Sequence, residues 1–325
     1  MDPKQFTTSI KQGEYKSIYL FYGEERYLVH HYAKVLADAL GEPDSFESKT
    51  PVNSIIMAAE TLPFLSEKRL VHVKDSRLFV SGRKDDSEAM AAYLPQVPES
   101  TVLLFTEADV DRRGRLYKKA MELGGVINCE TPSPQALTTW LSRIFKERGK
   151  TIDPAAANML LRYTAHNMTT LDQEAHKLAA YVGTHTSVTA HDVEAVCTPT
   201  LESKVFDLIS YMGNGRAADA LNMYHNMLLM KEQPLMILAM IIRQFRIILM
   251  AKAAEEKGMP KSQMAKALGL RSFVIDEALQ QGRRFTIPRV LGALEDCQDT
   301  DVKIKTGLIA ADVGVELLIL QYGGN

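Results

Sequence analysis

The turn most able to do chemistry in this chain is Phe21-Tyr22-Gly23-Glu24-Glu25-Arg26-Tyr27-Leu28. A turn from a strand into a helix is where an α/β protein cradles phosphate. That cradle is written GxxxxGK[ST], because backbone N–H groups and a lysine must neutralise the charge. Here Gly23 stands alone, with no Lys or Ser/Thr at the needed spacing, and Glu24 and Glu25 occupy the head of the helix. Carboxylates stabilise that end of the helix dipole and repel phosphate. Both glutamates therefore read as favourable first-turn residues. Thr106-Glu107-Ala108-Asp109 stands where the Mg²⁺ carboxylate of an ATPase would be. Without a phosphate cradle these acids have nothing to serve, and they read as solvated loop residues.

Other chemistry is equally thin. The chain has no HExxH and no GxSxG. His30-His31 reads as surface and half-buried helix positions. His185 and His191 with Asp192 fall short of the three protein ligands that a catalytic zinc wants. Cys129, Cys197 and Cys297 are far apart and odd in number, which fits a reducing compartment rather than a disulfide framework. No catalytic residue, metal or cofactor is expected. Lys plus Arg is 38 against 40 for Asp plus Glu, so bulk charge cannot coat nucleic acid. Residues Met1 to Phe6 lack a signal-peptide core, and the apolar run Leu235 to Ile242 stops at Arg243, short of a membrane span. A cytoplasmic protein away from the membrane is expected.

Two basic clusters remain. Arg112, Arg113 and Arg115 precede Lys118-Lys119, while Lys303 and Lys305 are expected just inside the last helix. Either cluster could touch phosphate backbone, and either could be an ordinary solvated face. The apolar stretch is Thr61-Leu62-Pro63-Phe64-Leu65-Ser66-Glu67-Lys68-Arg69. Pro63 disfavours helical geometry at Leu62, so the preceding helix ends there. Phe64 and Leu65 then fall in a loop, either as a lid on the local core or as a plug for a partner's pocket.

The elements that would position these residues alternate over the first 130 residues. Short apolar runs at Ile18–Tyr22, Arg69–Val73, Thr101–Phe105 and Val126–Cys129, with a short one near Phe46, read as strands. Helical spacing separates them, as at Leu28, Tyr32, Val35, Leu36 and Leu40. Strands alternating with helices imply a mostly parallel sheet covered on both faces. After Glu130 no strand signal persists. Ser133-Pro134 and Asp153-Pro154 are helix starts. Leu235 to Met250 is apolar nearly all round, which marks the centre of a bundle. Further helices follow Ser262 and Pro288, and the last is expected over Asp301 to Tyr322. The division is residues 1–131 as α/β, 132–200 as a small helical domain and 201–325 as a larger helical one.

Several segments together resemble the delta-subunit family of the bacterial DNA polymerase III clamp loader. They are Tyr19 to Leu28, Thr61 to Val71, Asp111-Arg112-Arg113 running into Leu116-Tyr117-Lys118, Leu171 to Tyr181, Arg243 to Arg246, and Asp301 to Gly307. They recur in order over nearly the whole length. The resemblance implies an AAA+-like front domain without a functional P-loop, a helical lid domain and a helical collar domain for oligomerisation. It also implies that an apolar loop of the front domain enters a pocket on the ring-shaped sliding clamp (the beta subunit). That loop maps onto Leu62, Phe64 and Leu65, with Phe64 and Leu65 as the wedge. The implied partners are the gamma/tau and delta-prime subunits and primed DNA, within a DNA-directed DNA polymerase (nucleotidyltransferase) holoenzyme. The resemblance further implies that ATP is bound by partners, and no catalytic activity of this chain's own is expected. Arg112, Arg113, Arg115, Lys303 and Lys305 remain possible DNA or partner contacts. The competing readings are a degenerate AAA+ ATPase, a DNA-binding adaptor that works without a clamp, and a helical scaffold with a vestigial sheet domain.

Overall fold

The computed structural model describes residues 1–63 and 66–324. The chain divides into two compact units, Met1–Thr131 and Pro132–Asn325. The elements of the first unit run α1 (Pro3–Lys11), β1 (Ile18–Tyr22), α2 (Arg26–Leu40), β2 (Asp44–Phe46), α3 (Val52–Glu60), β3 (Arg69–Lys74), α4 (Lys84–Tyr93), β4 (Thr101–Glu107), α5 (Arg115–Leu123) and β5 (Val126–Asn128). The five strands pair in parallel in the order β2-β3-β4-β1-β5.

β1 and β4 are buried along their whole length because both sheet faces are covered, so their sequences read as continuous apolar runs. Alternate residues serve opposite faces. Ile18, Leu20, Leu103 and Phe105 pack with α3, α4 and α5. Tyr19, Phe21, Val102 and Leu104 pack with α1 and α2. Helix α1 is an addition to the sequence reading. Asp2 caps it in a capping box with Gln5, Pro3 opens it, and Phe6 packs edge-on to Tyr19 and Phe21 at 5.5 and 5.2 Å.

The second unit continues α6 (Pro134–Lys146), β6 (Thr151–Ile152), α7 (Pro154–Tyr163), α8 (Met168–Tyr181), β7 (Ser187–Val188), α9 (Ala190–Val196), α10 (Leu201–Gly213), α11 (Ala217–Leu229), α12 (Pro234–Glu256), α13 (Lys261–Leu268), α14 (Ser272–Gly282), α15 (Ile287–Lys305) and α16 (Ala311–Gly323). Strand structure thus does persist past Glu130: β6 and β7 pair in parallel, each two residues long and too short to show a period. Helix α12 is long and apolar enough to cross a membrane by length and composition. Here it packs against α10, α13, α14, α15 and α16, burying Ile237, Leu238, Ile241, Phe245 and Ile248.

The expected last helix over Asp301 to Tyr322 is two helices. Gly307 sits at φ +77°, a left-handed conformation that ends α15, and α16 starts after Ala310. Lys303 and Lys305 therefore close α15 rather than open the final helix. They stand where cations complement the helix dipole, and Lys305 pairs with Asp301 at 2.7 Å.

Candidate functional site

In a parallel sheet every strand starts on one edge and ends on the other, so the first unit presents two distinct sheet edges. The segment from Thr61 to Lys68 leads into the start of β3. The Gly23 turn and Glu107 lie at the strand ends. At about 3.3 Å per residue over strands of this length, the two edges are roughly 15–20 Å apart.

At the starting edge both feet of the loop are tied down. Thr101 Oγ1 donates to Ala59 O at 2.7 Å, closing the last turn of α3 onto β4. Thr61 Oγ1 donates to Met57 O at 2.8 Å. On the far side Arg69 N donates to Ser100 O at 2.8 Å and Lys68 Nζ to Glu99 O at 2.5 Å. The Arg69 guanidinium spans the gap, donating to Thr61 O at 3.4 Å and pairing with Asp44 at 2.5 Å. Helix α3 buries Val52, Ile55 and Ala59. Met57, on its outer side, is 71% exposed and Leu62 is 75% exposed. Leu62 is thus no part of its own core. Phe64 and Leu65, the expected wedge, lie outside the described residues. Met57 was not singled out from the sequence; its place on the outer face of α3, one turn before Thr61, is the signal that finds it.

At the opposite edge the Gly23 turn packs closely against the chain that follows β5. Gly23 has φ +135°, and a Cβ there would lie 2.4 Å from Cys129 O, so only glycine fits. Glu25 N donates to Cys129 O at 3.0 Å, and Arg26 N to Glu24 O at 3.1 Å. The Glu25 side chain accepts from Tyr27 N at 3.3 Å as the N-cap of α2 and is buried. The glutamates therefore precede the helix instead of occupying its first turn. Two amides of the turn, those of Glu25 and Arg26, thus already hold protein acceptors.

Glu107 overturns the reading of the β4 end as solvated. It is 3% exposed and accepts from Ser76 N at 2.9 Å and from the Ser76 hydroxyl. Burial pushes its carboxyl above the ordinary range. Its neighbour Thr106 contacts His72 Nε2 at 2.9 Å, and burial holds the His72 ring down to about 4. Asp109 is exposed, as expected, and so are both His30 and His31.

Of the basic residues, Arg112 lies over the Tyr22 ring at 5.7 Å, and Arg113 is held by Asp111 at 3.0 Å. Arg115 opens α5 after Gly114. These three share one exposed segment at the strand-end edge, whereas Lys303 and Lys305 belong to the other unit. Among the described residues no group of three or more His, Cys, Asp or Glu could hold a metal ion.

Comparison with known proteins fits this layout. A family model described as DNA polymerase III, delta subunit, matches residues 19–130, and one described as its C-terminal domain matches residues 202–322. DNA polymerase III subunit delta of Bacillus subtilis (strain 168) is 27% identical over 329 residues, covering 96% of this chain and 94% of the relative. The probable DNA polymerase III subunit delta of Aquifex aeolicus (strain VF5) is 20% identical over 266 residues, covering 78% and 76%. The solved structure of the Bacillus subtilis DNA clamp loader delta protein superposes with a TM-score of 0.81 at 26% identity, covering 98% of this chain and 99% of that one. Two models of one family match in order on a chain that follows its solved relative from end to end, and the chain belongs to the DNA polymerase III delta subunit family of clamp-loader proteins.

Proposed function

We propose that this chain binds the beta sliding clamp through the 61–68 loop and helps hold the ring open for loading onto primed DNA. The observation that carries the reading is Leu62: a large apolar side chain, 75% exposed beside exposed Met57, on a loop fastened at both feet. Phe64 and Leu65, two and three positions further along the sequence, are the wedge in this reading. Binding opens a ring only through a difference in affinity between its open and closed states. The wedge supplies affinity, and the stiff sheet behind it supplies the misfit with the closed ring.

In this reading the chain takes no catalytic step and binds no ATP; two amides of the Gly23 turn, those of Glu25 and Arg26, are already used by Cys129 O and Glu24 O, which supports it. ATP belongs to gamma/tau partners, delta-prime completes the loader, and the assembly works in the cytoplasm. Residues 132–200 act as the lid and 201–325 as the collar that joins the ring. Arg112 and Arg115, exposed and outside any ion pair among the described residues, are the better candidates for DNA or partner contacts; Arg113 is engaged by Asp111.

The test is clamp capture by the full chain with and without Phe64→Ala, Leu65→Ala. Each fully buried side chain is worth about 1.5–3 kcal/mol, so the double variant should lose roughly two to four powers of ten in affinity. Unchanged affinity would remove the wedge assignment. Saturable ATP binding lost on Gly23→Ala would favour the degenerate ATPase instead.

A further inference from the structure

Arg69 opens β3 at the edge where the strands start, and its guanidinium is used in two directions. Nε pairs with Asp44 Oδ2 at 2.5 Å, and Nη1 donates to Thr61 O at 3.4 Å. Asp44 begins the edge strand β2, and its register partner in the sheet is Val71, two residues beyond Arg69. Thr61 is the C-cap of α3. One side chain therefore joins β2, β3 and the end of α3.

The chemistry of the contact suits arginine. Carbonyls at a helix end have no partner within their own helix, and a cation there complements the dipole. A lysine is a single point charge on a flexible stem. The planar fork of arginine presents separate N–H groups to a carboxylate and to a carbonyl at once.

Stability does not account for the arrangement. The Arg69 and Asp44 side chains are 23% and 46% exposed, and ion pairs so open to water add little to folding. Position does account for it. The outgoing foot of the loop has bonds of its own: Ser66 Oγ donates to Lys68 O at 2.8 Å, Lys68 Nζ to Glu99 O, and Arg69 N to Ser100 O. On the incoming side Thr101 holds Ala59 O, but the bonds that Thr61 itself donates run back into α3, to Ala58 O and Met57 O. Among the described residues, the Arg69 guanidinium is the hydrogen-bond donor that ties Thr61 to the sheet. Exposed Leu62 is the next residue.

We propose that Arg69 is a positioning residue for the partner-binding loop. Anchored on Asp44, it fixes Thr61 and with it Leu62, so that less ordering is left to be done when a partner docks. The inference rests on the reading that this loop grips the sliding clamp, and it gives Arg69 and Asp44 no contact with the clamp.

The test measures clamp affinity of the full chain for Asp44→Ala, Arg69→Gln and Arg69→Lys beside Phe64→Ala, Leu65→Ala, with the melting temperature and hydrogen exchange of each free variant. Arg69→Gln should weaken clamp binding about tenfold and Asp44→Ala about fivefold, the two together no more than Arg69→Gln alone. Arg69→Lys should recover part of the loss. The Leu62 amide should exchange faster in Asp44→Ala and Arg69→Gln while the amides of β3 and β4 and the melting temperature keep their wild-type values, a split that a merely structural pair would not give. Asp44 is exposed enough that its truncation keeps the fold even where an arginine variant does not. Wild-type affinity in Asp44→Ala beside weak binding in Arg69→Gln would make Arg69 a direct contact. That result, wild-type affinity in both, or a loss matched by general melting would each overturn the proposal and leave the clamp reading standing. Wild-type affinity in the Phe64, Leu65 variant would instead remove that reading, and the proposal with it.

Discussion

The two units handle their polar groups in opposite ways. In the sheet unit the backbone is satisfied sideways between strands, and buried polar side chains pair locally at the sheet, as Glu107 at the end of β4 does with Ser76 and His72 within β3 with Thr106. In the helical unit each helix satisfies its own backbone, and polar side chains can meet mid-core. Gln281 donates to Phe206 O at 2.8 Å and to Ser210 Oγ at 2.7 Å, and it accepts from Gln244 at 2.8 Å. The lesson is where function can be placed. A parallel sheet buried on both faces offers its edges, whereas a helical assembly offers the spaces where helix ends converge.

The largest test of this contrast is core truncation. Phe105 in the sheet and Phe245 in α12 are both buried, and Phe→Ala at such sites costs about 3–5 kcal/mol. Each unit has its own reporter thiols: Cys129 in the first, Cys197 and Cys297 in the second. Burial pushes all three up to about 12, so the folded protein should resist thiol labelling. Phe105→Ala should expose Cys129 alone in mild denaturant, and Phe245→Ala should expose Cys197 and Cys297. Release of all three thiols together by either variant would show that the units melt as one and break the comparison.

A smaller effect separates the units by pH. The folded protein keeps His72 neutral down to about 4, whereas the unfolded chain protonates near 6.5. The stability this burial permits is complete above pH 6.5 and is lost as pH falls to 4, by on the order of 3 kcal/mol. Glu277 runs the other way. Folded at about 7 and unfolded near 4.5, it contributes stability below pH 4.5 that is lost as pH rises to 7. His72→Gln should flatten the acid limb of the first unit's melting profile, and Glu277→Gln the near-neutral limb of the second's. Parallel responses of both units to pH would contradict the assignment. Smallest of all, Gly307→Ala should lower the second unit's melting temperature by an amount corresponding to about 1 kcal/mol. A Cβ there meets nothing within 4 Å, so only the left-handed backbone opposes it.

What could be read from sequence follows the same division. β1 and β4 were legible because burial on both faces turns a strand into an unbroken apolar run. The start of α6 was legible because Ser133 and Pro134 carry the local chemistry of a helix start. Helix α1 carried the same kind of signal in Asp2, Pro3 and Gln5, but it is short and displays few apolar residues. The β6–β7 pair was invisible because two residues have no period. The split between α15 and α16 was missed because apolar spacing continues past Gly307 while the backbone does not. Glu107 was misread because its partner Ser76 lies 31 residues away, beyond any local pattern. A cavity in the second unit draws its lining from residues between Pro134 and Gln280, and no sequence window spans it.

The bonds at the feet of the 61–68 segment have a mechanical meaning. Load applied to its feet passes through Arg69 and Thr101 into two neighbouring strands that share a six-residue register, Arg69 to Lys74 against Thr101 to Thr106. A pull along those strands must shear the ladder all at once instead of peeling it bond by bond. The segment is therefore mounted on a beam of two strands, with little slack at its feet.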